Sequence, residues 1–130
     1  MSHCASVVLV PTYNECRNLP RMIRGLARCA DSDVLVIDDG SPDGTGELAE
    51  ALRGTYPRLS VLHRRRREGL GRAYVHGFRT ALAGGYSHVV TMDADLSHDP
   101  ADVPRLLRAL AWADVAIGSR RPTCRAQSCA

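Results

Sequence analysis

The chain has 130 residues, 45% of them apolar and 24% charged. Those are the proportions of a globular domain rather than a disordered segment, and at this length one domain fits and a second does not. All seventeen basic residues are Arg, which excludes a phosphate-loop lysine, a Schiff base and the lysine of a response-regulator receiver. The net charge of +3 comes from Arg120, Arg121 and Arg125 in an acid-free stretch from 118 to 130. The body before it is neutral, which argues against a general nucleic-acid binder and leaves no nucleic acid among the expected partners.

Short β-rich runs alternate with longer stretches of helical period, the pattern of βα units around a mostly parallel sheet. Val7 to Val10 is the first strand, apolar throughout because both faces would be covered, and Pro11 is expected to stop it. A helix from about Arg17 to Cys29 follows T-Y-N-E, with Asn14 as its N-cap and Leu19, Met22, Ile23 and Leu26 on one face. Val34 to Ile37 is the second strand and ends in D-D-G-S-P-D-G-T. Ser41 and Pro42 read there as N-cap and first helical position, with Leu48, Ala49, Ala51 and Leu52 turned inward behind them.

Leu59 to Leu62 is the third strand, and Arg64 to Arg67 after it reads as a solvated edge. Leu70, Ala73, Tyr74, Gly77, Phe78, Ala81 and Leu82 keep helical spacing along the next element. His88 to Met92 is the fourth strand. It delivers T-M-D-A-D-L-S-H-D-P, in which Asp99, Pro100 and Asp102 form a helix start ahead of Leu106, Leu107 and Leu110. Asp114 to Gly118 is read as a fifth strand. From 122 to 130 the periodicity disappears, so the domain is expected to span 1–121 with an appended tail. Trp112 reads as core or as a contact for further sequence.

Five cysteines without C-x-x-C pairing suit a reducing compartment. The N-terminal apolar run is too short for a signal peptide and no stretch is long enough for a membrane span, so a cytoplasmic location is expected.

Ligands of an open parallel sheet bind outside the carboxyl ends of its strands. Thr12, Tyr13, Asn14 and Glu15 reach that edge from the first strand, and Asp38, Asp39 and Ser41 from the second. Asp93, Asp95, Ser97 and His98 come from the fourth, and Ser119 and Arg120 from the fifth. In a locally extended backbone Asp93 and Asp95 point to one side, and two such carboxylates suit a Mg²⁺ or Mn²⁺ that also holds a diphosphate. An ordinary solvated loop would explain the caps but gives Glu15, Asp39 and the Asp pair no task. His98 reads as a hydrogen-bonding group rather than a ligand, and His63, His76 and His88 as structural. The G-x-G at Gly69 and Gly71 follows the third strand, not the first, so it is not a dinucleotide fingerprint.

The motifs V-P-T-Y-N-E, V-I-D-D-G-S-P-D-G-T, G-L-G-x-A-Y-x-x-G-F, M-D-A-D-L-S-H-D-P and I-G-S-R stand in the order seen in family 2 glycosyltransferases. The chain resembles the dolichyl-phosphate (polyprenyl-phosphate) mannose synthases from about Val7 to Arg120. The resemblance implies an α/β GT-A fold and inverting, metal-dependent transfer of mannose from GDP-mannose to a polyprenyl phosphate. It implies that Pro11, Tyr13, Glu15, Ile37 and Asp39 hold the guanosine and that Asp93, Ala94 and Asp95 form the nucleotide and metal motif. Ser97 would complete the shell of a Mg²⁺ or Mn²⁺ on Asp95, and Arg120 would reach the diphosphate, with Asp93, Asp95 and Arg120 as the catalytic set. Arg67 stands where relatives often carry Lys. Family members continue past G-S-R, so a C-terminally truncated member is expected, attached to the membrane face through a partner subunit or further domain. Two alternatives stay open: a family 2 enzyme using another donor such as UDP-glucose, and a non-catalytic fragment that only binds nucleotide.

Overall fold

The computed structural model describes residues 5–119. Four strands, β1 (Ser6–Thr12), β2 (Asp33–Asp38), β3 (Leu59–His63) and β4 (His88–Thr91), form one sheet in the order β3-β2-β1-β4, and every pairing is parallel. The connections carry α1 (Leu19–Cys29), α2 (Thr45–Leu52) and α3 (Leu70–Ala83), and a 3₁₀ turn at Pro100–Asp102 leads into α4 (Val103–Ala109).

All seven residues of β1 are buried. Alternate side chains leave opposite faces of a strand, and the two faces meet different helices. Val8, Val10, Val34, Val36 and Val90 pack with Leu19, Met22, Ile23 and Leu26 of α1, Ala49 of α2 and Val103 of α4. Val7, Leu9, Leu35 and Ile37 pack with Ala73 and Ala81 of α3. A centre covered on both sides is why β1 and β2 read as unbroken apolar runs rather than alternating ones.

Pro11 does not end β1; it pairs in register with Ile37, and the strand runs on to Thr12. The Leu9 carbonyl accepts from Met92 of the segment after β4, whereas the Thr12 carbonyl accepts from Asp39 after β2. Successive residues therefore face opposite neighbours, and the Pro11 nitrogen faces the β4 side, where the ladder has already stopped at Leu9 opposite Thr91. No ladder hydrogen bond is lost there.

Several local expectations shift. Helix α1 starts at Leu19 behind Asn18, not near Arg17 behind Asn14. Helix α2 starts at Thr45 behind Gly44, whose φ is 90°, because the Ser41 side chain is committed elsewhere. Ala51 is exposed and Leu48 and Leu52 are half-buried. On α3 only Ala73, Gly77 and Ala81 are buried, while Leu70, Phe78 and Leu82 stay exposed. Residues 114–118 form no strand; Val115 and Ile117 are exposed and pair with nothing among the described residues. Trp112 is 90% exposed, so it is no part of this core. Asp99 caps as expected, accepting from the Ala101 amide at 3.0 Å. No helix among the described residues is long and apolar enough to cross a membrane.

Helix α3 lies unusually close to the sheet. A Cβ on Gly77 would stand 2.5 Å from Ile37 Cδ1 and 3.1 Å from Leu9 Cδ1. Gly77→Val should therefore destabilise the fold by roughly 1–3 kcal/mol through overpacking, read as a lowered urea midpoint with an unchanged slope. At the far end of the sheet the Tyr86 hydroxyl donates to Asp33 Oδ2 at 2.5 Å. Burial, then the Asp33 carboxylate, push the phenol up from 10.0 to about 12. A raised pKa contributes stability that is whole below the unfolded value and lost as pH climbs through the folded one. Urea titrations should show stability falling between those two values, and Tyr86→Phe should flatten that decline while lowering stability at neutral pH.

Candidate active site

The site is built at the carboxyl ends of β1, β2 and β4. Strand order reverses beside β1, whose neighbours are β2 and β4, and the loops on either side of such a switch point part to leave a crevice.

Its foundation is Asp38, a buried carboxylate that ends β2. Oδ1 accepts the Thr12 hydroxyl at 2.9 Å and the Ser41 hydroxyl at 2.6 Å, and Oδ2 accepts the Ser41 amide at 3.1 Å. These bonds tie the end of β1 to the end of β2. The loop after β2 then takes up the amides of the loop after β1. The Asn14 amide donates to Ser41 Oγ, the Glu15 amide to Thr45 Oγ1 and the Cys16 amide to Asp43 Oδ2. Asp43 in turn accepts from both the amide and the hydroxyl of Thr45, and that hydroxyl above all holds its carboxyl below the usual carboxylate range. Asn14 adopts a left-handed φ of 56° within this lacing. Ser41 and Asn14 thus act as staples between loops, not as helix caps.

Asp39 faces the other way. Its side chain is 7% exposed, Oδ1 lies 3.1 Å from Arg64 Nε, and Oδ2 accepts the amides of Glu68 and Gly69 at 3.2 Å and 3.1 Å. A buried carboxylate needs such partners to remain charged. The basic run is therefore not a uniform solvated edge. Arg64 is buried between Asp39 and Glu68, and the Arg67 guanidinium stacks 4.3 Å above the Tyr13 ring. Gly40, with φ of 75°, lets the Arg66 backbone pass where a Cβ would come within 2.9 Å.

The acidic turn after β4 completes the rim. The Tyr74 hydroxyl donates to Asp93 Oδ1 at 3.3 Å, and the Asp93 amide donates to His98 Nδ1 at 3.1 Å. Burial, then the Asp93 charge, push the Tyr74 phenol up to about 12, so it remains a donor. Ala94 is buried, and Leu96 takes a left-handed φ of 65°. The backbone at Ala94 and Asp95 is a turn rather than the extended stretch expected. Asp95 is exposed and Oδ1 accepts the Ser97 amide at 2.9 Å. The Ser97 side chain, then that amide, hold its carboxyl below the ordinary value.

Tyr13, Glu15, Asp39, Asp93 and Asp95 thus come from three loops at one rim, with Pro11 and Ile37 paired beneath them. Arg120 lies outside the described residues. Among those described, no three His, Cys, Asp or Glu side chains converge on a metal position. The Asp93 and Asp95 carboxylates and the Ser97 hydroxyl are hard oxygen donors, the chemistry a Mg²⁺ or Mn²⁺ takes alongside phosphate oxygens and water. The roles of Tyr74 and Arg64 differ from their reading in the sequence, where Arg64 belongs to a solvated edge and Tyr74 to a run of helical spacing. The partner of Tyr74, Asp93, is nineteen residues away, and nothing local marks such a pair.

The sequence and the fold are similar to those of known proteins. The chain is 50% identical over 116 residues to "Undecaprenyl-phosphate mannosyltransferase" of Micrococcus luteus, covering 88% of this chain and 48% of that protein. It is 52% identical over 118 residues to "Polyprenol monophosphomannose synthase" of Mycolicibacterium smegmatis, covering 88% of this chain and 44% of that protein. It spans about half the length of these relatives. Among solved structures, "Mannosyltransferase PcManGT from Pyrobaculum calidifontis in complex with GDP-Man and Mn2+" superposes with a TM-score of 0.70 at 25% identity, covering 85% of this chain and 33% of that one. The profile "Glycosyl transferase family 2" matches residues 7–126. With its parallel sheet, its GT-A neighbour and a match that takes in nearly the whole sequence, the chain belongs to glycosyl transferase family 2.

Proposed function

We propose that the chain forms the donor side of an inverting transferase that moves mannose from GDP-mannose to a polyprenyl phosphate. The observation that carries this reading is the rim itself, with Tyr13 and Glu15 after β1, Asp39 after β2, and the Asp93 and Asp95 turn after β4. The names of the relatives supply the donor and the acceptor.

In this reading Pro11, Tyr13, Glu15, Ile37 and Asp39 surround the guanosine. Arg67 stacks on Tyr13 and steadies the ring that the base would meet. Asp93, Ala94 and Asp95 face the diphosphate, and Asp95 with Ser97 would hold a Mg²⁺ or Mn²⁺. When bound, that ion supplies neutralisation of the charge that gathers on the departing diphosphate. The chain's own residues keep the site in shape. Tyr74 fixes the Asp93 carboxylate, His98 fixes its amide, and Ser97 holds Asp95 ionised. Arg120 would add positive charge at the diphosphate. The nucleophile is a phosphate monoester, already largely ionised at neutral pH, so no strong base is needed and His98 is free to serve the backbone. The enzyme would work at the cytoplasmic face of a membrane, where the lipid phosphate is displayed, with attachment supplied by a partner subunit or further domain.

Asp95→Asn should lower Mn²⁺-dependent GDP affinity at least about tenfold, the scale on which metal sites respond to altered ligation, while circular dichroism stays unchanged; equal affinity in calorimetry would count against the metal assignment. Wild-type chain should bind GDP more tightly than UDP, and a stronger UDP response would move the donor to another nucleotide sugar. Radiolabelled GDP-mannose with polyprenyl phosphate should give a lipid-phase product. GDP binding without that product would leave a nucleotide-binding domain only.

A further inference from the structure

A concavity of about 440 Å³ lies along α3, lined by Arg64, Glu68, Arg72, Val75, His76 and Arg79. Asp93 and Asp95 are not part of it. Arg72, His76 and Arg79 follow one another at four- and three-residue intervals along α3, which sets them on one side of the helix. Ala73, Gly77 and Ala81 take the side that packs on the sheet.

The charges do not cancel. Glu68 is shared by Arg64 at 3.2 Å and Arg72 at 3.4 Å, and Asp39 takes the Nε of Arg64 from behind. Those two carboxylates answer two of the three guanidinium groups. Arg79 is left over, and neither it nor His76 has a side-chain partner among the described residues. The Arg64 side chain is 7% exposed, yet its Nη1 is buried with no hydrogen-bond partner. That atom is closed off from solvent, so the positive charge the concavity offers to a ligand is that of Arg72, shared with Glu68, and of Arg79.

We propose that this concavity is a phosphate-binding site, gripped by Arg72 and Arg79, with Arg64 along its buried side and His76 between them. Guanidinium forks match phosphate oxygens in pairs, where a lysine would offer a point charge, and this chain has only Arg to offer. The phosphate can be a free ion or the monoester headgroup of a lipid. Arg64 also bonds Asp39, but Arg72 and Arg79 have no place in the transferase reading, so varying them tests this site apart from it.

The test follows backbone amide shifts of the full chain during titration with inorganic phosphate at constant ionic strength, with chloride as the control. Saturable shifts should cluster between residues 64 and 79, and Arg72→Gln/Arg79→Gln should weaken binding about tenfold or more while Arg79→Lys loses less. Arg79→Gln alone serves if the double variant does not fold, and Mn²⁺-dependent GDP binding should be unchanged in either. Co-sedimentation with phosphatidic acid vesicles against phosphatidylcholine vesicles identifies the source. Vesicle binding lost in the same variants assigns a lipid headgroup, and phosphate binding without vesicle binding assigns a soluble one. Absence of saturable shifts, shifts the variants leave untouched, or vesicle binding without any phosphate response would overturn the site.

Discussion

The Asp38 carboxylate sits buried at the end of β2 and accepts two hydroxyls and an amide, from Thr12 on β1 and from Ser41 in its own loop. Hydrogen bonds to an ionised acceptor are among the strong ones, and leaving such a group unmet would be costly. That anchor fixes the separation of the β1 and β2 ends. From it hang the loop of Tyr13 and Glu15, laced amide by amide to Ser41, Asp43 and Thr45, and then the start of α2. Each feature of the rim assumes that these two strand ends do not move apart.

The aspartates at and just after the ends of β2 and β4, Asp38, Asp39, Asp93 and Asp95, divide the work of this rim. Asp38 is spent on the two strand ends, and Asp39 on Arg64 and the amides that open α3. Asp93 keeps one modest contact with Tyr74, and Asp95 keeps only the embrace of Ser97. Unanswered negative charge therefore gathers in the turn after β4, the last of the four strands in sequence. Hard oxygen donors of that kind suit a divalent cation. Arg64 stands at the join between this rim and the concavity on α3, because its Nε belongs to Asp39 and its Nη2 to Glu68.

Legibility followed the range of the interaction. Strands β1 to β4 and helices α1 to α4 could be read from their apolar runs, because each run had a helix or strand period of its own. Caps and faces were read less well. Ser41-Pro42 has the chemistry of a helix start, but the Ser41 hydroxyl donates to Asp38 and accepts from the Asn14 amide, and those two bonds hold it. Pro11 has the chemistry of a strand end, but its missing donor faces the side where β4 has stopped pairing. Leu70, Phe78 and Leu82 have the spacing of core, but Gly77 brings α3 down on the sheet along a narrow line and leaves them outside it. The candidate site residues were legible as types and positions; Tyr74, Arg64 and the loop lacing were not, since each pairs with a residue far along the chain.

By itself the sequence determined the alternation of strands and helices, the rim at which polar residues collect and the family whose motifs those residues spell, because periodicity and motif order are local properties of a chain. Tertiary structure alone decided which carboxylates are spent and which remain open, that Arg64 is buried, that α3 lies against Leu9 and Ile37 through a glycine, and that a basic concavity forms on its other side. Those outcomes depend on which distant groups come within a few ångströms of one another, and that distance is set by packing two faces of one sheet, not by spacing along the chain.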